Sequence, residues 1–172
     1  MLRFFLSLIL IALCTLFQGS VISMIPYINS TPNLLLIVTF SIGILRGRDE
    51  GLLYGLLCGI AMDLVSGGYL GFYALFYMYL GFGCGFLHQL FDVDVPLVAV
   101  ILTILSEILY HLYVFLFRFV IRGRLSISSY ISSIILPEMI FTIAFAILLY
   151  GIIVAMNIAL EKYEQRSALK FV

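Results

Sequence analysis

Asp63, Glu107, His111 and Glu138 are ionisable side chains set within or at the ends of apolar runs, where each could do chemistry. Glu107 and His111 stand four residues apart, one turn on a helix, so their side chains can meet. Such a pair could pass protons or bind a metal. Zinc wants three or four ligands, and no second cluster supplies them; His88 lies in a different run. The expected reading is a mutually satisfied polar pair, with no metal and no cofactor. Asp63 could hold an ion or a proton, or anchor a partner. A carboxylate beside Ser66-Gly67-Gly68 also readily accepts backbone N–H bonds at a turn, and this capping reading is preferred. Glu138 follows Pro137 at the head of an apolar run, where the helix dipole favours a carboxylate. It could also pair with Arg118, Arg122 or Arg124. No nucleophile elbow, Walker loop, H-E-x-x-H or dinucleotide fingerprint is present, so the chain does not read as an enzyme. An intramembrane enzyme using Asp63 with Glu107 or Glu138 is the weakest reading.

The elements that position these groups follow from composition. The 172 residues are 64% hydrophobic and 10% charged, with a mean hydropathy of +1.22. A soluble domain would carry about 25% charge. Nine Lys and Arg balance nine Asp and Glu, which gives no basic field for nucleic acid. Cys14, Cys58 and Cys84 lie inside apolar runs without C-x-x-C spacing and read as packed thiols. The chain is expected to be an all-α, polytopic membrane protein forming one integral membrane domain over residues 1–172.

Six spans fit a hydrocarbon core that needs about 20 residues for each crossing. The first runs from Phe4 to Met24 and reads as uncleaved, because it is long and lacks a small-residue cleavage pattern. The second follows Thr31-Pro32, an N-cap and N1 pair, and ends at Leu45 before a charged turn, Arg46 to Glu50. The others cover Gly51–Val65, Leu70–Leu90, Leu97 to Phe117 or Phe119, and a last span that follows Pro137 and ends near Leu160, with a charged tail from Glu161. Spans two and three are short, roughly 14 residues each. They could be surrounded by protein or sit in thinned bilayer. Arg3, Arg46, Arg48, Lys162, Arg166 and Lys170 against Arg118, Arg122 and Arg124 favour cytoplasmic termini. The outer arginines and the serine-rich segment after them could meet lipid headgroups or a partner. Asp92 and Asp94 read as a solvated acidic turn.

Gly51, Gly55, Gly59 and Asp63 recur every fourth residue. Glycines at this spacing let a second helix backbone approach. The run Gly81-Phe-Gly83-Cys-Gly85 offers two further such positions one span later, which predicts a tight hairpin around a turn at Gly67–Gly71. Tyr69, Phe72, Tyr73, Phe76, Tyr77 and Tyr79 are dense enough to form a packing surface.

Pro32-Asn33-Leu34-Leu35-Leu36, the Arg46–Glu50 segment, the Gly51-Gly55-Gly59-Asp63 series and Ser66-Gly67-Gly68-Tyr69-Leu70-Gly71 together resemble the bacterial rod-shape-determining MreD family. The matched positions are Pro32, Asn33, Gly55, Gly59, Asp63 and Gly71. Gly51, Gly67 and Gly68 complete the structural or partner-binding set. The resemblance implies a fold similar to the substrate-binding subunits of energy-coupling-factor transporters. It also implies a non-enzymatic scaffold in the bacterial cytoplasmic membrane that helps to maintain rod shape and organise peptidoglycan synthesis. The implied partner is MreC, and through it RodA, its transpeptidase and MreB. The alternative is a vitamin- or metal-capturing subunit of an energy-coupling-factor transporter.

Overall fold

The computed structural model describes residues 2–24, 31–67, 69–89, 96–117 and 135–169. Among these residues the chain forms six α-helices: α1 Leu2–Met24, α2 Leu34–Arg46, α3 Arg48–Ser66, α4 Phe72–Phe86, α5 Pro96–Phe115 and α6 Leu136–Leu169. A short 3₁₀ turn, Leu87–Gln89, extends α4. The predicted outer arginines, the serine-rich segment, Gly68, Asp92 and Asp94 lie outside the described residues.

α2 is the centre of the bundle. Leu34 through Ile44 include only Thr39 and Ser41 as polar residues, and all of them are buried. A helix that is hydrophobic all round belongs inside, and α2 touches each of the other five. Its shortness therefore reflects a protein-surrounded position. α3 differs, because it exposes Leu52, Leu53, Ile60 and Leu64 along one side.

Three boundaries depart from the sequence expectation. The N-cap of α2 is Asn33 rather than Thr31, and Pro32 lies outside the helix; the Asn33 side chain accepts the Leu36 N–H at 3.3 Å. Asparagine is the stronger cap. The expected charged turn is a single residue, Gly47, at φ 91°. Only glycine reaches that backbone region cheaply, so α3 starts immediately with Arg48, Asp49 and Glu50. The two acids sit in its first turn, where the helix dipole favours them. The tail does not break α6 at Leu160: the helix continues through 34 residues to Leu169.

Arg46 also leaves its expected surface role. Its side chain is buried and ties three other helices together. Nε donates to Asn157 Oδ1 at 3.0 Å, and Nη1 donates to Ser7 Oγ at 3.0 Å. Glu50 is 3.4 Å away, and the guanidinium lies 5.6 Å from the Tyr54 ring centre. At the other end of α2, the Asn33 N–H donates to Thr142 Oγ1 at 3.1 Å. α2 and α6 are thus pinned at both ends and run parallel.

The outside carries many large apolar side chains. α1 exposes Phe5, Leu13 and Leu16, and α6 exposes Ile140 and Leu148, while Asp63, Glu107 and His111 are buried. That inversion suits hydrocarbon as solvent. Three stretches, Arg3–Ser20, Leu97–Phe115 and Leu136–Leu160, are long and apolar enough to cross a membrane. α2 and α4 are shorter apolar helices.

Candidate functional site

The glycine series builds the α3–α4 hairpin. Gly51, Gly55 and Gly59 are all buried on the α3 face that meets α4. A Cβ added at Gly51 would strike the Gly81 carbonyl oxygen, one at Gly55 the Tyr77 carbonyl oxygen, and one at Gly59 the Ala74 backbone. Each contact would be shorter than 3.0 Å, a distance that real Cβ atoms essentially never show. The helices therefore touch backbone to backbone along three turns, in the small-residue manner of membrane helices. Gly81 and Gly85 return the contact, against Gly51 and Arg48, whereas Gly83 faces open space. Gly43 of α2 joins at the same level, with its Cα beside Gly51 and its own Cβ position against Gly81. The sequence reading missed Gly43, although Gly47 continues the four-residue glycine spacing from Gly51 back to it.

Asp63 closes the series. α4 begins after Gly71, at φ 101°, which has no side chain to cap the helix. Asp63 reaches across from α3 and does so. Its Oδ2 accepts the N–H groups of Gly71 at 2.8 Å and Ala74 at 3.2 Å, and Oδ1 accepts that of Tyr73 at 2.8 Å. These are orphan donors of a helix N-terminus, where the dipole also favours a negative charge. The bonds go to the first turn of α4 rather than to the Ser66-Gly67 turn. Gly67, at φ 60°, ends α3 in the left-handed conformation.

Asn33 links a second network. Its Oδ1 accepts the Tyr77 hydroxyl at 2.6 Å as well as the Leu36 N–H. Thr142, which takes the Asn33 N–H, donates its own hydroxyl to the Glu138 carbonyl at 2.8 Å. Asn33 is fully buried, and its Nδ2 finds no acceptor among the described residues. Aromatic rings pack alongside. Phe72, Tyr73, Phe76 and Tyr77 meet Tyr110, Tyr113 and Phe117, and the Tyr113 hydroxyl donates to the Phe72 carbonyl at 2.9 Å. Tyr69 and Tyr79 of the expected surface instead point outward.

Glu107 and His111 do approach, with Nε2 3.3 Å from Glu107 Oε2. The sequence reading set Glu138 apart as a helix-start carboxylate. The fold brings its Oε2 to 3.8 Å from the same His111 nitrogen. The three residues each offer one ligand atom, all within 4.8 Å of one another. The three cysteines are free and buried, away from this group.

Comparison with known families decides the relationship. The family described as rod shape-determining protein MreD matches residues 1–157. The chain belongs to the MreD family. Neither a curated protein nor a solved structure matches it. An MreD-family chain with these apolar helices is a membrane protein of the rod-shape-determining system. The family match spans all six helices, including most of α6, and so extends well beyond the central block that carried the resemblance.

Proposed function

We propose that this MreD-family chain is a non-enzymatic scaffold of the cell-wall elongation complex that binds MreC within the bacterial cytoplasmic membrane. Through MreC it connects RodA and its transpeptidase to MreB filaments. The observation that carries this reading is the two-sidedness of α3. One face is locked to α4 through Gly51, Gly55 and Gly59, so the hairpin has little freedom to deform. The opposite face is apolar and exposed, and with α1 it lines a groove of Leu8, Ile11, Ala12, Thr15, Leu57 and Ala61. Ala12, Thr15 and Ala61 keep that groove open to a close-packed single span. A stiff backing with an apolar front suits a scaffold.

The proposal includes six crossings with both termini in the cytoplasm. Arg46 bonding to Ser7 near the start of α1 and to Asn157 near the end of the apolar stretch of α6 supports it, since those three sites then share one membrane side. A fold like that of the energy-coupling-factor substrate subunits remains part of the same proposal.

The test is recovery of the tagged chain from native membranes in mild detergent, with Gly59→Leu in parallel. MreC and the wall synthases should accompany the wild type, and the variant should insert but lose them. Recovery of paired ATPases with a small bound molecule would point instead to a vitamin- or metal-capturing transporter subunit. Normal rods and normal recovery with Gly59→Leu would remove the hairpin from the account.

A further inference from the structure

We propose that Glu107, His111 and Glu138 form a binding site for one divalent transition-metal ion, for which zinc is the best fit. Geometry is the first reason. Four-coordinate zinc holds its ligands at about 2.0–2.1 Å, which sets neighbouring ligand atoms about 3.3 Å apart. His111 Nε2 stands 3.3 Å from Glu107 Oε2 and 3.8 Å from Glu138 Oε2, and all three donor atoms fall within 4.8 Å. Side-chain adjustments of well under 1 Å would gather them around one centre.

The second reason is independent of that spacing. Glu107 is fully buried, and neither of its carboxylate oxygens makes a hydrogen bond among the described residues. A buried carboxylate needs pairing or a metal. Both carboxylates face the same ring nitrogen, and one N–H cannot be directed well at two acceptors. A cation placed among the three atoms satisfies all of them at once, and its double positive charge cancels the two carboxylates. Imidazole with carboxylate is a donor set suited to zinc and its neighbours.

The fold supplies the scaffold for such a site. The i, i+4 spacing puts Glu107 and His111 on one face of α5, and α6 contributes Glu138 from its first turn. Thr142 steadies that turn through the Glu138 carbonyl. Three protein ligands leave a fourth position for water. The Glu138 side chain keeps 14% of its surface exposed, which gives an ion access. A bound ion would join α5 to α6 across the connection between them. This site is independent of the scaffold reading.

The experiment uses the full chain in mild detergent, stripped with a chelating resin and then offered zinc chloride or cobalt chloride. One zinc per chain should survive desalting, with a raised melting temperature. Cobalt should give the visible d–d bands of a four-coordinate site. The near-isosteric variants Glu107→Gln and Glu138→Gln should weaken zinc binding by roughly a hundredfold or more and lose the cobalt bands. Tyr113→Phe, also on α5, should keep both. Size-exclusion profiles and circular dichroism confirm that each variant is folded. A folded wild-type chain that retains no zinc overturns the proposal. So does zinc retained equally by both glutamine variants, which would put the ion elsewhere. If no ion binds and Glu107→Gln stabilises the chain, the three groups share protons, and the metal site is overturned.

Discussion

Asp63 and Glu107 are carboxylates buried to nearly the same degree, in surroundings that differ in kind. Asp63 sits where two helices touch through glycine, and three backbone N–H groups point at it. Every element of that environment is complementary to a negative charge. Glu107 sits between α5 and α6, where a histidine and a second glutamate approach without a hydrogen bond to its oxygens. The α3–α4 region resembles a finished joint, whereas the α5–α6 region resembles a receptor. Burial alone thus says little about a membrane carboxylate; what its oxygens accept separates a structural role from a binding one.

The largest effect that could break this contrast lies in the glycines. Gly59→Ala pushes a methyl into the Ala74 backbone and should cost at least the ~3 kcal/mol of severe overpacking, read as a large drop in detergent melting temperature. An unchanged midpoint would mean that the hairpin is not locked through its backbone. Next, Asp63→Ala should cost about 2–4 kcal/mol, because it strands the first-turn donors of α4. Glu107→Gln in chain stripped of metal should stay within about 1 kcal/mol of wild type. Equal losses in the two variants would erase the distinction drawn between them. Tyr77→Phe removes one hydroxyl bond to Asn33 and should cost about 0.5–1.5 kcal/mol in the same assay. Smallest is Gly83→Ala, where nothing lies within 4 Å of the added methyl. Helix propensity should then raise stability by up to ~1 kcal/mol.

Much of the hairpin was legible in the sequence because its determinant is periodic and local. Gly51, Gly55, Gly59 and Asp63 announce a close approach, and the run Gly81-Phe-Gly83-Cys-Gly85 announces its partner, of which Gly81 and Gly85 make the contact. Local signals also gave the helical class and the approximate position of every helix. What the sequence hid depends on contacts between distant residues. Glu138 joins Glu107 and His111 only when α6 packs on α5, across 27 positions from His111. Arg46 read as a turn charge because Gly47, Arg48, Asp49 and Glu50 follow it, yet its partners Ser7 and Asn157 lie 39 and 111 positions away. The Thr31-Pro32 cap failed for a similar reason. Thr142 and Tyr77 hold Asn33 in place, and no local window contains either.

The unbroken course of α6 has a mechanical consequence. Its 34 residues correspond to about 51 Å of helix at 1.5 Å per residue, well beyond a hydrocarbon core about 30 Å thick. Glu138 and Lys162 lie on this one rod, about 36 Å apart along its axis. A push or twist applied to the polar end near Lys162 would reach the Glu138 turn with no joint to absorb it. The helix can act as a drive shaft between whatever grips that end and the charged seam at the other.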